Sequence, residues 1–509
     1  MITLEDLTLN SDTPKSSYLS EVTDVSSQSS EASLDSSLFS TICHSFVGSL
    51  TETNLNTYSD EVFHDFTQAL SQNSPITFLP NYNISPTGNE FGHYLVIDLG
   101  GSTLRIGVVD IAEPSASKSR SERVRVVIEK SWIIANDFKK IDYNFFKFIG
   151  SKINEILSSQ HLIDTKSVIN TGITWSFPLE TTNYNNGKIR HVSKGYTIGE
   201  DILDKDLKTV LEEVLAKEFD LKLEVCSILN DSLAVYSAGC FIDNNMKLAM
   251  VLGTGLNMCC SLNQSKDIHP KKMLGEATLF NCELSLFGQN LCETFAGKYD
   301  SIIDPRFKEY QHHFKTYMEA DPLTNTLFQP HELMTSGRYL PELTRLVLVD
   351  LIAAGEIFTG NKSLDKILHY EYEGFDGETM CFVNENEDYD KIKEKLCQVY
   401  GWSSVSSHDI MILKQVISCI IRRAAFIVAN TIIAYIKLLD KYSDDKLQGE
   451  VTIGYVGSVL NYFHEYRSMI IDYVNKNEES KKLGLKIDLK LIENSSMIGA
   501  AIGAAYYKK

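Results

Sequence analysis

The chain has 509 residues, 43% hydrophobic and 23% charged, with a formal net charge of −19. That length supports two domains with separate cores, and the balance excludes a fibrous or wholly disordered protein. The acidic excess excludes nucleic acid or an anionic membrane as a general partner, since both need a basic face, so an anionic ligand must be drawn by local groups.

Residues 1–38 are rich in Ser, Thr, Asp and Glu and poor in aromatics, which predicts a disordered tail, because too little surface is available to offset the entropy of ordering. Its serines suit phosphorylation, and a role in solubility alone explains the composition more simply. Glu5 and Asp6 stand without a basic segment or apolar run behind them, so no secretory signal is expected. Apolar residues then recur at helical spacing, with Phe39, Ile42, Phe46 and Leu50 followed by Val62, Phe66 and Leu70. This predicts helices over 39–76. Residues 75–86 read as a loop.

From His93 to Val109 an apolar run ends at Asp98, Gly100 and Gly101 turn the chain, and Ile106 resumes a second strand. This predicts a β-hairpin whose turn is suited to an anion. Glycine lets main-chain N–H groups approach phosphate oxygens, Ser102 and Thr103 add hydroxyls, and Arg105 adds a fixed charge. Asp98 is placed to hold a hydrated Mg2+ beside them. Taken alone, this stretch is better explained as a plain hairpin with polar residues at its turn. Further on, 124–134 reads as strand, 145–157 as helix, and 168–178 as a strand leaving the core at Pro178. After an Asn185-Asn186-Gly187 turn, 201–219 reads as an amphipathic helix. A strand at 222–229 then delivers Asn230, Asp231 and Ser232 to its carboxyl end, where α/β proteins put their chemistry.

Lys247 to Ser261 repeats the hairpin plan around Gly253, Thr254 and Gly255. Two such hairpins suggest related halves facing each other across a nucleotide. Neither turn fits a Walker loop or a dinucleotide G-x-G-x-x-G. Residues 331–351 and 409–439 read as helical and 361–401 as charged and irregular. The apolar stretch 416–439 is broken by Arg422 and Arg423, which predicts a buried helix and no membrane span. A strand and glycine turn at 451–459, a strand at 487–492 and a small-residue helix at 497–507 complete an α/β chain. The ten cysteines show no C-x-x-C pairs, so reduced thiols in a cytoplasmic protein are expected, with Cys259 and Cys260 packed as core.

Asp98-Leu-Gly-Gly-Ser-Thr-Leu-Arg105 and Leu252-Gly-Thr-Gly-Leu-Asn257 resemble the two phosphate motifs of the hexokinase family, within the wider group of sugar kinases, actins and heat-shock ATPases. Other motifs follow in the family's order. Trp175-Ser-Phe-Pro178 resembles its sugar loop, Ser193-Lys194-Gly195 stands for its Thr-Lys-Gly, and Asn230-Asp231-Ser232 for its Asn-Asp-Thr. Phe280 to Leu284 resembles its Asn-Thr-Glu-Trp, and Glu332 to Glu342 its Glu-Lys-Met-Ile-Ser-Gly segment. Tyr455 to Ser458 is similar to its adenosine motif, and Gly499-Ala-Ala501 to its closing one.

The resemblance implies a two-domain, actin-like (ribonuclease H-like) α/β fold. A small domain would span 77–229 with a closing helix from 493–509, and a large one 230–492. It implies Asp231 as catalytic base and Ser176, Ser193, Lys194, Asn230, Asn257, Glu283 and Glu332 as sugar contacts. Asp98, Gly100, Gly101, Ser102, Thr103, Arg105, Gly253, Thr254, Gly255, Gly457 and Ser458 would hold ATP, with Mg2+ bound through water. Monomers or weak homodimers are expected.

The departures cluster around the ring. Cys282 and Leu284 stand where the family has Thr and Trp, and the Asn-Pro-Gly segment before Glu332 is not recognisable; on the nucleotide side Ser102-Thr103 replaces Thr-Asn and Val456 an Asp. Smaller, less polar walls would admit an N-acetyl group, whose methyl contributes up to ~1 kcal/mol when buried. This favours N-acetylglucosamine, as in fungal members of the family. An ordinary glucose kinase, or a catalytically weak sugar sensor, is the alternative. An actin-like filament ATPase would not need the sugar loop or the Glu283 and Glu332 pair.

Overall fold

The computed structural model describes residues 37–508, apart from 83, 116, 136–137, 178, 191–195, 310–313, 323–325, 362 and 444–446. The predicted tail up to residue 36, Ser193 and Lys194 thus lie outside the described residues. The strands are β1 (Leu79–Tyr82), β2 (Gly92–Leu99), β3 (Thr103–Ile111), β4 (Val124–Ile133), β5 (Lys140–Ile141), β6 (Ile169–Trp175), β7 (Glu180–Asn183), β8 (Asn186–Lys188), β9 (Thr197–Ile198), β10 (Leu223–Leu229), β11 (Met246–Leu252), β12 (Leu256–Asn263), β13 (Ala277–Asn281), β14 (Gly449–Val456) and β15 (Leu485–Leu491).

Tyr94, Leu95, Val96 and Ile97 are all buried. A strand covered on both faces requires this, which is why the stretch reads as a continuous apolar run rather than an alternation. β2 and β3 form the predicted antiparallel hairpin, β4 extends it, and β6 and β10 add in parallel on the other side. The order β4-β3-β2-β6-β10 recurs in the larger sheet as β13-β12-β11-β14-β15, again three antiparallel strands followed by two parallel ones. The repeated glycine hairpin is therefore the local sign of a repeated half-structure. Cys259 and Cys260 lie on β12 and are fully buried.

The larger sheet gains a sixth strand, β1, paired antiparallel with β13 at its edge. The segment that reads as a loop thus holds a strand, and that strand belongs to the larger sheet and not to the small domain expected over 77–229. Pro80 weakens any strand signal and is tolerated because β1 is an edge. Helices Leu38–Val47 and Glu52–Ser71, N-capped by Ser37 and Thr51, join the core of the larger half.

At the centre of that core runs Ser407–Tyr442, started by a Ser406–Asp409 capping box. It is long and apolar enough to cross a membrane by length and composition, but 83% of its most apolar window is buried inside the protein. Arg423 is accommodated there by two 2.7 Å hydrogen bonds to the Asp300 carboxylate and by the Phe46 ring beneath it.

Two helices lie between the sheets, Asp231–Ile242 and Ser495–Tyr507. A Cβ added to Gly499 would meet Ala234 O at 2.1 Å, and one on Gly172 would meet Ala500 O at 2.1 Å. The small residues of the closing helix let backbones touch on both sides. Three helical readings change. The helix expected from Asp201 starts at Leu207, because the Asp206 carboxylate accepts from Thr209 N and caps it there. Residues 331–351 form two helices, Pro330–Thr335 and Leu340–Ala353. The stretch 361–401 holds helices Asp365–His369, Gly377–Glu385 and Tyr389–Tyr400. Their charges lie outward while Ile367, Met380, Val383, Ile392 and Leu396 are buried.

Candidate active site

Asp98, Thr174 and Leu229 are in register across β2, β6 and β10. The first glycine turn, Ser176 and Asn230-Asp231 therefore leave the sheet along one edge. With strands spaced ~4.8 Å apart, Asp98 and Leu229 are separated by roughly 10 Å. In the larger sheet Val251 is opposite Val456 in parallel strands, so Gly253–Gly255 and Gly457–Ser458 share an edge as well.

Gly100 N donates to Thr103 O at 2.9 Å to close the first turn. Ser102 is exposed and Gly100, Gly101 and Thr103 are half-buried, so the turn is open to a ligand. Ser176 N, just past β6, donates to Leu99 O at 3.1 Å and ties the sugar loop to this hairpin. Arg105 is held by Asp98: its Nε donates to Oδ2 at 2.9 Å, and Nη2 reaches the same oxygen and Ser496 Oγ.

Gly253 N donates to Gly255 O at 3.0 Å in the second turn, where Thr254 is exposed. A Cβ on Gly457, whose φ is +120°, would lie 2.2 Å from Leu252 O, and one on Gly253 would be 3.4 Å from Ser458 N. The two turns thus touch main chain to main chain. At Gly255 an added Cβ would sit 2.6 Å from Glu332 Oε2, the oxygen that accepts from Leu256 N at 3.1 Å. The missing side chain makes room for the sugar-side carboxylate.

Asp231 is the first residue of its helix, and the Asn230 side chain caps it by accepting from Ser232 N at 3.1 Å. From this helix a chain of side chains runs across the larger sheet. Ser232 Oγ is 3.4 Å from Asn281 Oδ1, which also accepts from Asn257 Nδ2 at 2.8 Å, while Asn281 Nδ2 donates to Glu283 Oε1 at 2.7 Å. Asn230, Asp231, Asn257, Glu283 and Glu332 are thereby brought to one place. Glu283 itself has φ +50°, a left-handed conformation costing about 1–3 kcal/mol that its surroundings must impose.

Asn281 joins Ser232, Asn257 and Glu283 and is absent from the sequence-derived contacts. Its only signal is its place in the Phe280–Leu284 motif. Arg338 is a second residue that the motifs miss. It follows Gly337, whose N donates to Gly253 O at 2.7 Å, and its guanidinium lies over the rings of Tyr339 and Tyr372 at 5.9 and 5.4 Å. The reading of Cys282 and Leu284 as sugar walls is not met: they are 0% and 1% exposed and belong to the hydrophobic core. β13 ends at Asn281 and the chain turns at Glu283 in the left-handed conformation, so Cys282 and Leu284 pack into the core while the Glu283 carboxylate stays within reach of Asn281.

Hexokinase family models match residues 39–241 and 247–506. The chain belongs to the hexokinase family. Across 97% of its length it is 68% identical to N-acetylglucosamine kinase 1 of Candida albicans, 98% of which is covered. It is 24% identical to Glucokinase-1 of Saccharomyces cerevisiae, over 82% of this chain and 85% of that one. Among solved structures, a Schistosoma mansoni hexokinase complexed with glucose superposes with a TM-score of 0.70 at 20% identity, covering 92% of this chain and 99% of that one. It shares the two-domain, actin-like fold. As a hexokinase, the protein is an ATP-dependent phosphotransferase with an alcohol group as acceptor.

Proposed function

We propose that this hexokinase transfers the γ-phosphate of ATP to the 6-hydroxyl of N-acetylglucosamine, with Mg2+ accompanying the nucleotide. The observation that carries the substrate is the 68% identity, over nearly the whole chain, to a protein named N-acetylglucosamine kinase 1. The sugar lies among Ser176, Asn230, Asn257, Glu283 and Glu332, whose carboxylate oxygens can each take two hydroxyl donors. Asp231 accepts the proton of the attacking hydroxyl, a role worth ~10²–10⁴ in rate. The triphosphate lies across the two glycine turns, which supply N–H donors.

Positive charge comes from Arg338, beside the second turn, more than from Arg105, which Asp98 already neutralises. Arg105 engages Oδ2 of Asp98, and the Asp98 carboxylate would be the group to hold a hydrated Mg2+. When bound, the ion would supply charge neutralisation at the transferring group. The enzyme is cytoplasmic, which the ten cysteines without a C-x-x-C pair support, and it is monomeric or weakly dimeric.

Coupled ADP-release kinetics with N-acetylglucosamine, glucose, mannose and fructose test it. The highest kcat/KM is expected for N-acetylglucosamine. A higher value for glucose overturns the substrate, and no turnover with any sugar favours the sensor.

A further inference from the structure

His331 immediately precedes Glu332 on the Pro330–Thr335 helix and is fully buried. Its ring Nε2 lies 3.1 Å from Tyr58 Oη on the Glu52–Ser71 helix and 3.2 Å from Thr431 Oγ1 on the long core helix. Thr431 also donates to Ile427 O at 3.1 Å, and Thr335 Oγ1 donates to His331 O at 2.6 Å. On the other side, His331 N donates to Phe287 O at 3.3 Å. Gly288, with φ +99°, packs on the ring, since a Cβ there would meet Nδ1 at 3.0 Å. The Leu284–Gly288 segment that the ring supports leads directly from Glu283.

Through its ring and its main chain, His331 therefore ties together the Glu283 loop, the Glu332 helix, the core helix and the N-terminal helix. Burial pulls its pKa down to about 4, so near neutral pH it serves as an uncharged hydrogen-bonding strut. We propose that His331, braced by Tyr58 and Thr431, is a positioning residue that sets the Glu283 and Glu332 carboxylates for the sugar, and that the Glu52–Ser71 helix is thereby part of the sugar site's support. Nothing in the sequence motifs assigns that helix a role. Carboxylates that must meet several hydroxyls at once tolerate little displacement, and a shift of ~1 Å in a supporting element can cost about 10²-fold in rate.

The inference rests on the sugar site proposed above, so the experiment separates the two. Steady-state constants for N-acetylglucosamine and for ATP, with melting temperatures, are measured for Glu332→Gln, His331→Leu, His331→Gln and Tyr58→Phe. Glu332→Gln tests the site: no change in its sugar KM removes the site itself. Given that effect, His331→Leu is expected to raise the sugar KM by about tenfold or more while the ATP KM stays within about twofold. His331→Gln, which keeps a polar group in the socket, should recover most of the loss. Should His331→Leu fail to fold, Tyr58→Phe decides, since it deletes one hydroxyl on a separate helix: a sugar KM raised by about threefold at unchanged ATP KM supports the proposal. An unchanged sugar KM in the deciding variant, or sugar and ATP constants that rise together as the melting temperature falls, overturns it.

Discussion

Asp98 and Arg105 face each other across the first hairpin as a register pair, and the Arg105 Nε hydrogen bond to Asp98 Oδ2 measures 2.9 Å. Because Arg105 also reaches Ser496 Oγ on the closing helix, it links the hairpin to the element packed between the two sheets. Arg338 has aromatic faces as partners and sits beside the second turn. Arg338→Ala is therefore expected to raise the ATP KM by about tenfold with little change in melting temperature. Arg105→Ala should lower both melting temperature and kcat. An unchanged ATP KM in Arg338→Ala, with a large rise in Arg105→Ala, would reverse the two assignments.

Asp231→Asn should lower kcat by ~10²–10⁴ while leaving the fold intact. The helix keeps its cap, since the Asn230 side chain accepts from Ser232 N and an amide oxygen can take over the 2.8 Å bond that the same N–H makes to Asp231 Oδ1. Circular dichroism and ATP binding by calorimetry check the second half of the statement. Turnover within tenfold of wild type would end the base assignment.

Helix propensity favours alanine over glycine by ~1 kcal/mol, so Gly499→Ala would stabilise a free helix. Here the new methyl would stand 2.1 Å from Ala234 O, and forcing the backbones apart costs about 1–3 kcal/mol. The clash outweighs the propensity, and the melting temperature should fall. A rise would show that the two helices slide apart freely.

Burial first, and then Glu61, raises the Asp65 carboxyl from its ordinary range to about 7. Between pH 4 and 7 the folded protein keeps a proton that the unfolded chain has released, so folding stability falls as pH rises through that window. Asp65→Asn removes this dependence and should gain on the order of 2–4 kcal/mol relative to wild type above pH 7, and little near pH 4. Urea denaturation of both proteins at pH 4.5 and 8 measures the difference. Parallel pH profiles would count against a buried, protonated Asp65.

The amino-acid order alone determined the two glycine hairpins, the strand that presents Asn230 and Asp231, and the small-residue closing helix. Each is written in short-range pattern: an apolar run, a turn residue, a period of two or nearly four. Local pattern could not show that β1 belongs to the larger sheet, because an edge strand of four residues with Pro80 is held by pairing with β13 and not by propensity. Nor could it tell that Cys282 and Leu284 face the core, although they flank the cleft carboxylate Glu283. Both lie past the end of β13, where the chain turns at Glu283, and which side chains of such a turn become interior depends on what packs against them. Asn281 and His331 were silent for the same reason: their importance lies in partners at Asn257 and Ser232, and at Tyr58 and Thr431, far away along the chain, which only the folded arrangement brings within hydrogen-bond distance.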